Sequence, residues 1–288
     1  MHAGPPGISQ HFFFCYNHER RLSRPRDLKE PVAAFQETDI RKLLYILYQP
    51  YKWLVYLPLV ALATFFFGTL AIVLLPFIRA RTVSAMCGGG WARLLAYAAP
   101  VRVRVTGRRN IDRRRSYVIV SNHQSHFDIL VIYGWLGVDF KWVMKKELRR
   151  VPFMGSACAR GGHIFIDRFD GEAARASLDE AKQRITGGTS IVFFPEGTRS
   201  RDGHLGEFKK GAFVMAVDMG LPILPVSIAG SARILPARTL DLFPGRIDMI
   251  IHPPIDTSSC GREGIKALMD ETRRVIQSGL DPSPGGRP

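Results

Sequence analysis

No two cysteines of this 288-residue chain stand close together: Cys15, Cys87, Cys158 and Cys260 are scattered and form no CxxC pair. Such spacing excludes a thiolate zinc site and a disulfide framework, and it suits a reducing compartment. The chain also lacks an HExxH zinc-protease pattern, a GxSxG nucleophile elbow, internal repeats and long low-complexity tracts. Acidic residues are scarce. Forty Lys and Arg against 25 Asp and Glu leave a formal charge of +15, which points to a partner of negative charge: nucleic acid, an anionic membrane surface or a phosphorylated substrate. A nucleic-acid binder would interleave aromatics with its basic residues in a recognisable motif. None is present, so no nucleic acid is expected.

Charge of either sign vanishes between Lys52 and Arg79, where residues 53–78 read WLVYLPLVALATFFFGTLAIVLLPFI. Crossing the hydrocarbon core takes ~20 apolar residues, and this run exceeds that. It begins too far into the chain for a cleaved signal peptide. Pro58 and Pro76 near its ends and Gly68 at its middle leave two arrangements open, a single membrane helix or a re-entrant helical hairpin. From Arg79 to Arg115 there are ten Arg and one acid, Asp112. For a spanning segment the positive-inside rule places the C-terminal part in the cytoplasm; for a dipping one the same arginines favour an anionic leaflet. Either way the expected location is the cytoplasmic membrane, with the catalytic part on the cytoplasmic side. WARLLAYAA, residues 91–99, reads as an interfacial helix or an ordinary packed one.

From about residue 100 short apolar runs alternate with amphipathic stretches, the α/β pattern. Strands are expected over 101–106, 117–121, 190–194, 223–228 and 247–251, and amphipathic helices over 172–185 and 262–276. The organisation is a flexible arm (1–38), a membrane-associated helical region (39–99), one catalytic domain with a mixed sheet flanked by helices (100–280) and a flexible tail (281–288). Neither the arm nor the chain as a whole carries a signature of oligomeric state.

The polar motifs fall where expected strands end, which is where open α/β sheets bind ligands. In SNHQSHFD, His123 and Asp128 would lie about 140° apart on a continuous helix. A turn entering a helix instead lets the acid bend back to the imidazole, hold one ring nitrogen and leave the other free to take a proton. A metal set of His123, His126 and Asp128 lacks a fourth ligand, so no metal is expected; a solvated, capped helix start is the plain alternative. In FFPEGTRS, Gly197 lets backbone approach a ligand, Thr198 offers a hydroxyl and Arg199 a fork for phosphate. GGHIFIDR ends a short strand at Arg168, a second candidate phosphate ligand or a strand-end ion pair. LPILPVSI is a strand framed by Pro222 and Pro225.

Taken in order, NHxxxxD, GxxFIxR, FPEGTRS and xPIxPVS resemble the glycerolipid acyltransferases, specifically the 1-acylglycerol-3-phosphate acyltransferases, over roughly residues 85–255. KWVMKKELRRVPFMG, residues 141–155, is similar to that family's linking segment. The resemblance implies His123 as general base with Asp128 as its partner. It implies Phe193, Glu196, Gly197 and Arg199 as acceptor-binding residues, Arg168 near an acceptor phosphate, and Pro222 and Pro225 near the acyl chain or donor. The implied partners are membrane lipids, lysophosphatidic acid and an acyl donor, acyl-CoA or acyl-carrier protein, with no cofactor. His126 occupies a position the family motif leaves variable.

Overall fold

A computed structural model of the chain describes residue 46 and residues 48–167, 170–200 and 204–281. The N-terminal arm, Arg168 and the tail beyond Asp281 lie outside these residues. All the described residues belong to one unit, Leu44–Pro288.

The apolar run forms one continuous helix, α1 (Tyr48–Leu74). Pro58 does not break it. Its missing N–H falls just after a π turn at Lys52–Tyr56, where the helical ladder is already widened. Gly68 does not bend the helix either. A Cβ there would sit 3.1 Å from Cβ of Phe153, so the glycine serves close packing. A turn through Pro76 leads into α2 (residues 80–98), itself widened by a π turn at Ser84–Gly88. The two run antiparallel: Tyr51 Oη donates to Ala98 O at 2.6 Å, and Trp91 Nε1 donates to Thr64 Oγ1 at 3.1 Å. A hairpin therefore exists, with α1 and α2 as its arms rather than two halves of residues 53–78. Residues 91–99 lie in α2 as a packed helix; Ala92, Leu95 and Ala96 are buried while Leu94 and Tyr97 face outward.

Strands β1 (Val101–Thr106), β2 (Val118–Ser121), β3 (Asp139–Lys145), β4 (Ile164–Ile166), β5 (Thr189–Phe193), β6 (Ile223–Ala229) and β7 (Gly245–Ile251) build one sheet in the order β1-β7-β6-β2-β5-β3-β4. Neighbours are parallel except β6 and β7. It is the mixed α/β sheet the sequence implies. Central β2 is buried along its whole length because helices cover both faces, hence its unbroken apolar run. One face carries Ile119, Val192, Leu224 and Val226, packed with α2 and with α3 (Phe127–Trp135). The other carries Val118, Val120, Ile191 and Phe193. These pack under Ala181 of α5 (Gly171–Lys182), Phe213 of α6 (Gly211–Met219) and Ile276 of α8 (Ile265–Ser278). The short helices α4 (Met154–Arg160) and α7 (Ser231–Ile234) complete the set. Tyr56 and Ala63 of α1 belong to the first of these cores, so the hairpin shares a hydrophobic interior with the sheet.

β3 was not expected; its residues read as part of a linking segment. Lys141 hides the strand, because its stem is buried and its ammonium sits 4.0 Å from Asp139. Beside it, His163 accepts the Trp142 N–H on Nδ1 at 3.0 Å, one residue before β4 takes over that edge. The ring proton is thereby assigned to Nε2, 2.8 Å from Tyr133 Oη. Burial, and then the Lys141 charge, push this imidazole down to about 3. The folded state holds it neutral while the unfolded chain takes up a proton below pH ~6.5, so stability falls as pH drops from there toward 3. His163→Gln should flatten the pH dependence of chemical-denaturation stability between pH 6 and 4, by up to about 1.4 kcal/mol per pH unit. An unchanged slope would show that the histidine is not held neutral.

Candidate active site

The C-terminal ends of the adjacent parallel strands β2 and β5 carry the two polar motifs to the same place. His123 sits in the turn after β2, and Asp128 is the second residue of α3. The backbone reversal between them lets Asp128 Oδ2 reach His123 Nδ1 at 2.9 Å. The same oxygen accepts the backbone N–H groups of Gln124 at 2.7 Å and Ser125 at 2.8 Å. Three donors converging on one oxygen of a fully buried side chain hold the carboxylate in place. They also require Nδ1 to carry the ring proton, which leaves the Nε2 lone pair available. His123 keeps 14% of its side chain exposed, enough for a substrate to touch it.

Three further contacts hold this turn. Phe194 lies flat against the imidazole, with ring centroids 4.0 Å apart and planes within 11°. Trp142 backs Phe194 in turn, at 5.5 Å. Asn122 spans to β6 with both ends of its amide, giving Nδ2–H to Ile228 O and taking Ile228 N–H on Oδ1, at 2.9 and 2.8 Å. Glu196 accepts the His123 backbone N–H on Oε1 at 2.7 Å and that of Gly206 on Oε2 at 3.0 Å. Burial pushes its carboxyl up, and the two amide bonds pull the other way. With both oxygens occupied, Glu196 joins the β2 turn to the loop before α6.

Beyond Glu196 the chain turns tightly. Gly197 has φ +73°, its N–H donates to Phe194 O at 3.0 Å, and Ser200 N–H returns to His123 O at 2.9 Å. Thr198 and Arg199 follow, lining an open cavity of ≈ 560 Å³ with His204, Glu207 and Lys209. His126, at the start of α3, is pushed below its ordinary value by burial and then by the Arg199 cation. The cavity adjoins the Glu196 turn that holds His123, and its wall sets two cations, Arg199 and Lys209, among two acids, Glu196 and Glu207.

Of the residues singled out from sequence, His123, Asp128, Glu196, Gly197, Thr198 and Arg199 come together here. Phe193 does not. It points to the opposite face of the sheet, into the core under α6, and Phe194 takes the place beside the histidine. Strand alternation is the signal that separates them. Pro222 and Pro225 are buried in the sheet. Since Asn122 meets β6 at Ile228, Pro222 lies six residues, roughly 20 Å, below that edge. Pro225, level with Val120, accepts His252 N–H at 3.0 Å. Pro222 thus lies far from the histidine turn, and Pro225 near the end of the neighbouring strand that leads into it. Asn122 and Phe194 were not foreseen as site residues, since their bonds to Ile228 and to the imidazole span 106 and 71 positions of sequence.

A second Ser–His contact exists elsewhere: Ser227 Oγ lies 2.8 Å from His252 Nε2. Ser227 is fully buried and gives its proton to Ile276 O at 2.7 Å, so this hydroxyl is a tie between β6 and α8 and not a nucleophile. Among the described residues no group of three His, Cys, Asp or Glu is placed to hold a metal.

A family model described as Acyltransferase matches residues 102–229, the span from β1 to the end of β6. The chain is 33% identical over 193 residues to the chloroplastic 1-acyl-sn-glycerol-3-phosphate acyltransferase of Arabidopsis thaliana, covering 66% of this chain and 52% of that protein. It is 32% identical over 241 residues to the 1-acyl-sn-glycerol-3-phosphate acyltransferase of Limnanthes douglasii, covering 82% of this chain and 84% of the relative. The chain thus spans about half the length of the chloroplastic relatives and most of the Limnanthes one. Among solved structures, that of the 1-acyl-sn-glycerophosphate acyltransferase PlsC from Thermotoga maritima is similar, with TM-score 0.68 and 28% identity over 85% of this chain and 99% of that one. Motifs, site geometry and near full-length similarity lead to one conclusion: the chain belongs to the 1-acyl-sn-glycerol-3-phosphate acyltransferase family.

Proposed function

We propose that the chain transfers a fatty acyl group from a thioester donor, acyl-CoA or acyl-carrier protein, to the sn-2 hydroxyl of lysophosphatidic acid, giving phosphatidic acid. The observation that carries this reading is the His123–Asp128 pair, with its tautomer held, tied through Glu196 to a cavity whose wall includes Arg199 and Lys209. His123 Nε2 takes the proton of the acceptor hydroxyl as that oxygen attacks the thioester carbonyl. Collapse of the tetrahedral intermediate breaks the C–S bond, and the imidazolium returns the proton to the departing thiolate. No side chain needs to carry the acyl group, which accords with the absence of a GxSxG elbow. The N–H of Gly197 is taken by Phe194 O, whereas those of Thr198 and Arg199 have no partner among the described residues and suit a developing oxyanion. Arg199 meets the acceptor phosphate, a role Arg168 shares in the family motif. Glu196 acts by holding the turn. Pro222 and Pro225 act through the shape of β6.

The α1–α2 hairpin supports residence at a membrane surface. Trp53, Leu54, Phe65, Phe66, Phe77 and Met86 are exposed large hydrophobics. Only 17% of the apolar window of α1 is buried inside the protein. Because α2 returns to the start of α1 and both pack on the catalytic domain, we favour a hairpin embedded from one side over a lone span, with the domain on the cytoplasmic face.

Two measurements test these readings. Wild-type protein in detergent should form phosphatidic acid from lysophosphatidic acid and one of the two donors, and folded His123→Ala should lose ~10²- to 10⁴-fold of that rate. Acyl release without transfer would mark a hydrolase, and transfer only to other lysophospholipids would move the acceptor assignment. In sealed vesicles, Phe77→Cys at the hairpin tip, in a background without other cysteines, should resist a membrane-impermeant maleimide applied opposite the catalytic domain. Labelling from that side would establish a span.

A further inference from the structure

The cavity wall holds a cation that the motif reading does not use. Gly197 lacks a side chain where one would collide with Lys209: a Cβ would sit 3.0 Å from Lys209 Nζ, 3.1 Å from Cε and 3.5 Å from Cδ. The lysine stem thus lies along the glycine, and its ammonium is delivered over the turn between Glu196 and Arg199. Its base is tied to the same turn, since Lys209 N–H donates to Pro195 O at 2.9 Å. Lys209 is exposed and lines the cavity with Arg199 and Thr198. Among the described residues no carboxylate lies within 4.0 Å of its ammonium, whereas Lys146, Lys182 and Arg184 are paired. Glu196, the nearest acid in sequence to the turn, has both oxygens occupied by backbone N–H groups.

We propose that Lys209 is a second cation for the acceptor's phosphate, completing with Arg199 a site selective for a phosphate monoester. This rests on the acyl-transfer reading above. A monoester approaches charge −2 near neutral pH with a second pKa near 6, and one guanidinium neutralises half of it. A compact ammonium on a stem braced by Gly197 supplies the rest without ordering a free side chain at each binding event. It also gives Gly197 a task beyond its positive φ: leaving room for the lysine.

The test is steady-state acylation of lysophosphatidic acid by wild type, Lys209→Met, Lys209→Arg and the neighbouring exposed control Lys210→Met, from pH 5.5 to 8. Lys209→Met should raise the acceptor KM ~10- to 100-fold, with kcat and donor KM changed less than about threefold. Wild-type KM should fall as the phosphate's second proton leaves, and Lys209→Met should lose most of that fall. Lys209→Arg should recover much of it, and Lys210→Met should resemble wild type. An unchanged acceptor KM in Lys209→Met, a loss confined to kcat, or a KM increase independent of pH would each overturn the assignment. Should Lys209→Met not fold, Lys209→Gln with inorganic phosphate as competitive inhibitor gives the same reading: its inhibition constant rises if Lys209 binds phosphate and stays put if not. A wild type that does not acylate lysophosphatidic acid would sink the acyl-transfer reading itself, whereas an active wild type with an unaffected Lys209→Met removes only the lysine.

Discussion

A single carboxylate oxygen organises this molecule's chemistry. Asp128 Oδ2, wholly buried, gathers the Nδ1–H of His123 and two consecutive backbone N–H groups from the turn between them. Without the two backbone N–H groups the carboxylate would be free to turn away, and the histidine would lose the bond that orients its ring. The backbone amides hold the carboxylate, and the carboxylate holds the imidazole by Nδ1. The turn geometry, the helix start and the orientation of the imidazole are therefore set by one group.

Around that oxygen the protein ties neighbouring strand ends together with side chains where the backbone ladder has run out. Asn122 continues the pairing of β2 with β6 by imitating a peptide group. Glu196 does the same between the β2 turn and the loop before α6, with Gly206 leaving room at 3.1 Å for its Oε2. Phe194 adds a flat wall. A histidine on a loop would sample several rotamers; here Asp128 of α3 holds its ring edge, while Phe194 and Glu196, both in the segment after β5, hold its ring face and its backbone. Such support is what fixes geometry to within the tolerance proton transfer needs.

Much of this was legible in the chain itself. Apolar runs ending in polar motifs located β2, β5 and the histidine turn, because a parallel strand buried on both faces has few alternatives in composition. The five-residue spacing of His123 and Asp128 ruled out one helix face and pointed to a turn. What escaped was non-local. β3 was hidden by Lys141, whose charge reads as surface although its stem is buried beside Asp139. Phe193 and Phe194 are adjacent and chemically identical; only the direction of the pleat distinguishes the core residue from the one against the imidazole. Pro222 and Pro225 belong to one motif along the chain but stand at different levels: Pro222 just before β6 begins, Pro225 beside Val120 near the end of β2. The pairing of Gly197 with Lys209 depends on how the loop folds back, which spacing does not reveal.

The sharing of a core between the α1–α2 hairpin and the sheet has a consequence for how the enzyme can be handled. An anchor joined by a linker can be cut away to leave a water-soluble catalyst. Here, deletion of residues before 80 would withdraw Tyr56 and Ala63 from the main hydrophobic cluster and leave Phe153 without Gly68 and Phe65. The helix that exposes the most apolar surface is also part of the interior, so truncation cannot remove the one without cutting into the other.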